Sequence, residues 1–192
     1  TIDQLRGPGS AQITMASKAK YRLGWIQKRW KWVYNYKVKR NNNIYYSRAK
    51  FDLLKPLGIE QEPHNTYYHI KDKSKKYIRK WLTHVGLIDK NFVVFSPGTP
   101  VLSKQWDFDN FAELGDMILS KTDYKLVLLW GPSEKEDVDY IREQMEKEPL
   151  IVPPTNFNEA GALLQEASFY IAHDGGVNHL AVAMKTPSVT IF

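Results

Sequence analysis

The sequence predicts an α/β protein whose second half is a parallel β-sheet with helices on both faces. Three observations carry this. From Asn91 onward, short apolar runs alternate with longer segments of helical spacing. Those runs are hydrophobic at nearly every position, as strands buried on both faces must be. The stretch 171–184, IAHDGGVNHLAVAM, joins the end of one such strand to a helix through two glycines.

In the first half the elements are fewer. Gly7-Pro8-Gly9-Ser10 reads as a loop, with Ser10 capping a helix to about Ala19. Residues 21–25 form a short strand, and Asn41-Asn42-Asn43 a turn. Residues 45–57 read as a helix that Pro56 disturbs and Gly58 ends. Residues 59–67 are loop. Residues 74–85 are amphipathic, with Tyr77, Ile78, Trp81 and Val85 on one face, and Gly86 closes that helix. The predicted boundary lies in this region, giving regions 1–88 and 89–192.

The second half then runs in order. Residues 92–95, 124–130, 150–152, 169–172 and 187–192 are the predicted strands. Helices fall between them: 110–120, capped by Asp109, then 134–146, 158–167 and 177–184. Right-handed crossovers make the expected strand order 3-2-1-4-5. Strands one and four are then neighbours whose outgoing connections diverge, so a crevice opens at their carboxyl ends. The loop after strand one carries Ser96, Thr99, Ser103 and Lys104; the turn after strand four carries Asp174, Gly175, Gly176 and His179. The glycines are expected to allow a backbone path closed to other residues, and the bare helix start suits a phosphate. Glu134 stands where an acidic group holds ribose hydroxyls, or it is a helix N-terminal charge; both readings stand. Pro153-Pro154-Thr155 would wall a base pocket. Asp174, His179 and His173 lack a fourth partner for a metal, so none is expected.

Composition narrows the function. The 192 residues are 43% hydrophobic and 25% charged, a globular balance with room for one large domain or two small ones. No apolar run approaches the ~18 residues that span a bilayer. The absence of cysteine excludes disulfides and thiolate metal sites and fits a cytoplasmic protein. Charge is divided: residues 1–90 hold 20 Lys or Arg against 6 Asp or Glu, net +14, while residues 91–192 hold 7 against 15, net −8. Within 18–40, nine Lys or Arg are interleaved with Tyr21, Trp25, Trp30, Trp32, Tyr34 and Tyr36. This is a solvated face with packed aromatics, a surface for anionic lipid or glycan, or a nucleic-acid surface. The acidic second half would repel a long polyanion, so no nucleic acid is expected.

Several segments together resemble glycosyltransferase family 9, the heptosyltransferase family of bacterial lipopolysaccharide core assembly. They are Ser96-Pro97-Gly98-Thr99, Lys104-Gln105-Trp106, Trp130-Gly131-Pro132-Ser133-Glu134, the run from Asp174 through Gly175, Gly176 and His179 to Ala181, and Thr186-Pro187. Over residues 1–90 the match is looser, resting on Ile2-Asp3 and residues 19–24 and 53–59.

The resemblance implies a B-type glycosyltransferase architecture of two Rossmann-like domains. Residues 89–192 would be the nucleotide-sugar donor domain without its final helices, and 1–88 part of the acceptor-side domain. Lys104 and the Asp174–His179 turn would hold the donor diphosphate, with Lys104 and Asp174 acting on the leaving-group side, and Glu134 would hold the ribose. The donor would be an ADP-heptose with no cofactor, and the acceptor an anionic inner-core glycolipid. The protein would be cytoplasmic, peripheral on the inner face of the inner membrane. Family members open with a strand and a Gly-rich loop whose acidic residue is the catalytic base, and no counterpart precedes Thr1. The chain therefore reads as an internal piece. A non-catalytic nucleotide-binding fragment and another nucleotide-sugar transferase are the alternatives. Gly175 stands where many relatives have Thr or Ser, which removes a hydroxyl contact to phosphate.

Overall fold

The computed structural model describes residues 1–44, 46–60, 66–89, 91–99 and 101–192, with backbone only for Tyr46, Ser47 and Leu102. The chain divides into two compact units, Thr1–His64 and Asn65–Phe192.

In the first unit, α1 (Pro8–Ala16) begins one residue after Gly7. Pro8 is preset for the first helical position, so the helix starts earlier than a Ser10 cap would allow. Ser10 instead donates from Oγ to Asp3 Oδ2 (2.9 Å) and to the Gly7 carbonyl (3.0 Å). The helix also stops short of Ala19, because Lys18 turns to φ +50°. β1 (Leu23–Trp25) and β2 (Tyr36–Val38) pair in parallel, and Ile2 bridges Leu23 in the same sense. Gly24 is required there, since an added Cβ would sit 2.4 Å from the Tyr34 ring. The predicted helix at 45–57 is a single turn, α2 (Tyr46–Ala49), followed by a 3-10 stretch, Lys50–Leu57; Tyr45 itself lies outside the described residues. Pro56 has no N–H for an α-helical ladder and its ring crowds the carbonyl four residues back. Gly58 ends the stretch at φ +75°. Of the predicted loop at 59–67, residues 61–65 lie outside the described set.

In the second unit, α3 (Asp72–His84) precedes the sheet. The sequence reading set a boundary at 88/89; by internal contacts the compact units divide between His64 and Asn65, and α3 belongs to the second. The reason is packing: Ile78 and Leu82 are buried in one cluster with Ala160, Leu163 and Leu164. Asn158 also clasps the segment before α3, accepting from Lys71 N (2.9 Å) and donating to the His69 carbonyl (2.8 Å). Gly86 ends α3 at φ +67°.

The strands are β3 (Phe92–Ser96), β4 (Lys125–Leu128), β5 (Leu150–Ile151), β6 (Phe169–His173) and β7 (Ser188–Ile191). All pairs are parallel and the order is β5-β4-β3-β6-β7, which is the expected 3-2-1-4-5. α4 (Phe108–Lys121), α5 (Lys135–Gln144), α6 (Phe157–Glu166) and α7 (Gly176–Met184) connect them. β3 is central and shows the alternation of a strand buried on both faces. Phe92 and Val94 join the layer with α3, α6 and α7, while Val93 and Phe95 join the layer with α4 and α5.

Helix starts differ from the sequence reading by one or two residues. α4 is capped by Asp107, which accepts from the Asp109 N–H, and Asp109 takes the Tyr140 hydroxyl (2.9 Å) instead. α6 is capped by Asn156 in a full capping box with Glu159. α5 stops at Gln144 because Asp116 accepts the N–H groups of Glu146 and Lys147, both at 2.9 Å.

Candidate functional site

β3 and β6 lie side by side, with Phe95 opposite Ile171 and Ser96 opposite Ala172, so both strands end at one level. Their outgoing segments run to α4 and α7, and a cavity of about 430 Å³ opens at the divergence, within the second unit.

Its floor is Ser96, Tyr170 and His173, all buried. Burial pushes the Tyr170 phenol up, and the Glu134 charge adds to this. One wall is Glu134, the residue before α5, reached through Ser133 at φ +70°. Its Oε2 accepts the Gly131 N–H at 2.7 Å. The carboxylate is wedged against Gly98, where an added Cβ would sit 2.1 Å from Glu134 Cδ. The far wall is apolar, with Leu129, Ala160 and Val177, and Thr155 and Phe157 complete it. Tyr68 meets the Phe157 ring edge-on at 5.5 Å, and Trp130 Nε1 donates to the Val152 carbonyl at 2.7 Å.

At the mouth, Lys104 Nζ donates to Asp174 Oδ2 at 2.8 Å, both side chains about two-fifths exposed. The hydrogen bond and charge of Lys104, with a contribution from His179, hold the Asp174 carboxyl below the usual range. His179 is exposed on α7. Thr99 lines the cavity, with its hydroxyl accepting the Val101 N–H at 3.3 Å. Ser96, Thr99, Glu134 and Thr155 thus share one cavity with the Asp174 turn, and Lys104 reaches it through the Asp174 carboxylate.

One expectation is corrected. Gly175 and Gly176 do not supply a special backbone path. Gly175 has φ −167°, extended backbone that any residue adopts, and neither glycine has a left-handed φ. An added Cβ at Gly176 meets nothing within 4 Å, and at Gly175 only the His173 carbonyl at 3.9 Å. Their effect is to leave the start of α7 bare, so that its first N–H groups, which have no intrahelical partner, open on the cavity. Among the described residues, no group of three or more His, Asp or Glu is placed to hold a metal ion.

Four participants were not singled out in the sequence. Gly98 was legible only as part of its motif. Tyr170 looked like a core aromatic. His173 was weighed only as a metal ligand. Asn178, whose side chain donates to Thr190 Oγ1 at 3.1 Å, was read only as part of the helix start.

The model of glycosyltransferase family 9 (heptosyltransferase) matches residues 8–192. This chain belongs to that family. It is 33% identical to lipopolysaccharide heptosyltransferase 3 of Escherichia coli K12 over 144 residues, 73% of the chain and 41% of the relative. It is 25% identical to lipooligosaccharide heptosyltransferase 2 of Haemophilus influenzae over 123 residues, 60% of the chain and 35% of that relative. The chain therefore spans less than half the length of these curated relatives. Among solved structures, the family 9 glycosyltransferase of Veillonella parvula superposes with TM-score 0.79 at 19% identity, over 98% of this chain and 55% of that one. E. coli heptosyltransferase WaaC, solved with ADP, gives TM-score 0.69 at 22% identity, over 98% of this chain and 60% of that one. These likenesses establish the fold, that of B-type glycosyltransferases. The segments beginning at Ser96, Lys104, Trp130 and Asp174 follow β3, β4 and β6 at the carboxyl end of the sheet, whereas Thr186-Pro187 leads into β7 at the other end.

Proposed function

We propose that this chain is the donor-binding part, with some of the acceptor-side part, of a heptosyltransferase of lipopolysaccharide assembly. The donor is an ADP-heptose and the acceptor an anionic inner-core glycolipid. The single observation that carries the reading is one cavity with an apolar wall, a carboxylate at Glu134, and a mouth formed by Lys104 and the bare start of α7. An apolar wall takes a flat base, and a cation with unpaired N–H groups takes a diphosphate.

The chemistry follows from the leaving group. As the anomeric C–O bond breaks, negative charge grows on the diphosphate oxygens. Lys104 and the N–H groups at Gly176 and Val177 stabilise that charge where it develops. Asp174 is itself an anion and does not attract phosphate; it holds the Lys104 ammonium until the donor replaces it. Glu134, fixed by Gly98 and Gly131, offers its other oxygen to ribose hydroxyls. Transfer also needs a base for the acceptor hydroxyl.

Calorimetry with ADP, ADP-heptose and a UDP-sugar tests this. Lys104→Ala is expected to weaken ADP-heptose by about 1.5–3 kcal/mol, the range for a hydrogen bond to a charged group. Unchanged affinity would overturn the reading, and equal binding of UDP-sugars would favour another nucleotide-sugar transferase. Donor binding without transfer in the presence of acceptor would favour a binding fragment.

The basic first unit supports the anionic acceptor. Trp32 is 63% exposed, and Lys28, Arg29, Lys31, Lys37 and Lys39 are exposed with it. Each cation near an anionic surface contributes about 1 kcal/mol, screened over roughly 8 Å at physiological salt. No helix among the described residues is long and apolar enough to cross a membrane, and attachment at the cytoplasmic face through this patch is part of the proposal. Co-sedimentation with anionic vesicles should fall with added salt. It should also fall when Lys28, Arg29, Lys31, Lys37, Lys39 and Arg40 are changed to Gln. Equal binding by the variant sinks the acceptor-surface reading.

A further inference from the structure

We infer that His173 is a positioning residue, tying the Lys104 loop to the end of β6 so that the ammonium stays at the cavity mouth. His173 is 3% exposed, and its Nε2 accepts the Trp106 backbone N–H at 2.7 Å. The next residue, Asp174, takes Lys104 Nζ at 2.8 Å. Two adjacent residues therefore clasp one loop at two points, 104 and 106, one through a side chain and one through the backbone.

The clasp is built into the core. Phe111 packs edge-on against His173 at 5.2 Å and against Trp106 at 4.9 Å, bridging the two. Because Nε2 accepts, the proton of the neutral ring sits on Nδ1. That atom is buried without a hydrogen-bond partner among the described residues. Burial holds the imidazole below its ordinary value, and the backbone of Pro97 and Gly98 only partly opposes this, which favours the neutral ring. A protonated ring would lose the acceptor that Trp106 needs.

The inference rests on the donor-site reading above, and its test separates the two. His173→Gln keeps an acceptor near the Nε2 position; His173→Leu removes it. In the full chain, His173→Leu should lose protection of the Trp106 amide in hydrogen exchange and raise the Asp174 carboxyl toward its ordinary value. It should also weaken ADP about tenfold, as loss of one buried hydrogen bond does, while His173→Gln restores all three. A Leu variant with Trp106 still protected and Asp174 unmoved overturns the inference. So does a Gln variant no better than Leu. If wild type fails to bind ADP, the donor reading falls, and the inference is still decided by Trp106 exchange and Asp174 titration. Should the Leu variant not fold, imidazole nitrogen NMR of wild type decides: a proton on Nε2 overturns the inference, and a proton on Nδ1 supports it.

Discussion

In the second unit, β3 lies between two apolar layers, and its Val94 and Phe95 have no exposed surface. In the first unit the central group is a carboxylate. Asp3, 5% exposed, accepts the Leu5 N–H (2.8 Å), the Ser10 hydroxyl (2.9 Å) and the Tyr34 hydroxyl. The apolar cluster of Ala11, Val33 and Tyr34, with Trp30 against them, is small, and Leu23, Trp25, Ala49 and Leu53 are the other buried apolar residues described in this unit. The lesson is physical. A five-stranded sheet covered on both faces buries enough apolar surface to leave polar groups free for its rim, where the cavity forms. Two short strands with α1, α2 and a 3-10 stretch bury less among the described residues, so directed hydrogen bonds around one anion do more of the holding.

The contrast can be broken most sharply at Leu163, which has no exposed surface on α6. Leu163→Ala should cost the second unit about 2–5 kcal/mol, the range for emptying a packed core site. Exchange of the β3 and β4 amides reads it; unchanged protection would mean the apolar layers do not carry this unit.

Asp3 is the matching test for the first unit. Asp3→Ala leaves the Tyr34 hydroxyl and the Leu5 N–H without their anion and should cost about 2–4 kcal/mol. Burial alone would raise the Asp3 carboxyl, but the bonds from Tyr34, Leu5, Ser10 and Arg6 outweigh it and the value is lowered. With the folded value below the unfolded one, its contribution is complete above the ordinary carboxylate value and is lost as pH falls through the folded value. Acid titration followed at the β1 and β2 amides should show this in wild type and not in Asp3→Asn. Equal acid sensitivity of both would remove Asp3 from the centre of the unit. The second unit should respond sooner. His173 lies below its ordinary value, so stability complete above about 6.5 declines as pH falls from there toward the folded value.

The smallest effect is expected at Gly98. Gly98→Ala drives a Cβ into the Glu134 carboxylate and should cost about 1–3 kcal/mol, as overpacking does. The cost should vanish in the Gly98→Ala, Glu134→Ala double variant. A penalty that survives would mean Gly98 is kept for something other than Glu134.

The strand order and the crevice were legible because period and alternation are local properties, and right-handed crossovers leave few ways to connect them. The convergence of Ser96, Thr99 and the Asp174 turn followed from that order alone. Helix starts were less legible, since Asp107 and Asn156 win their caps by side-chain geometry that Asp109 and Asn158 equally suggest in sequence. The place of α3 was not legible, because its apolar face does not say which neighbour it will cover.

By itself, then, the sequence determined the parallel sheet, its order, and the meeting of the Ser96 and Asp174 segments at one end of it. Only the tertiary structure decided that Asp174 holds Lys104, that Gly98 exists to admit Glu134, and that the two glycines before α7 leave space instead of bending the chain. It also decided that His173 faces a backbone N–H. Each of these is a contact between residues from about 30 to 70 positions apart, or an absence of one, set by how side chains fill the space between elements. Local periodicity carries no record of that filling.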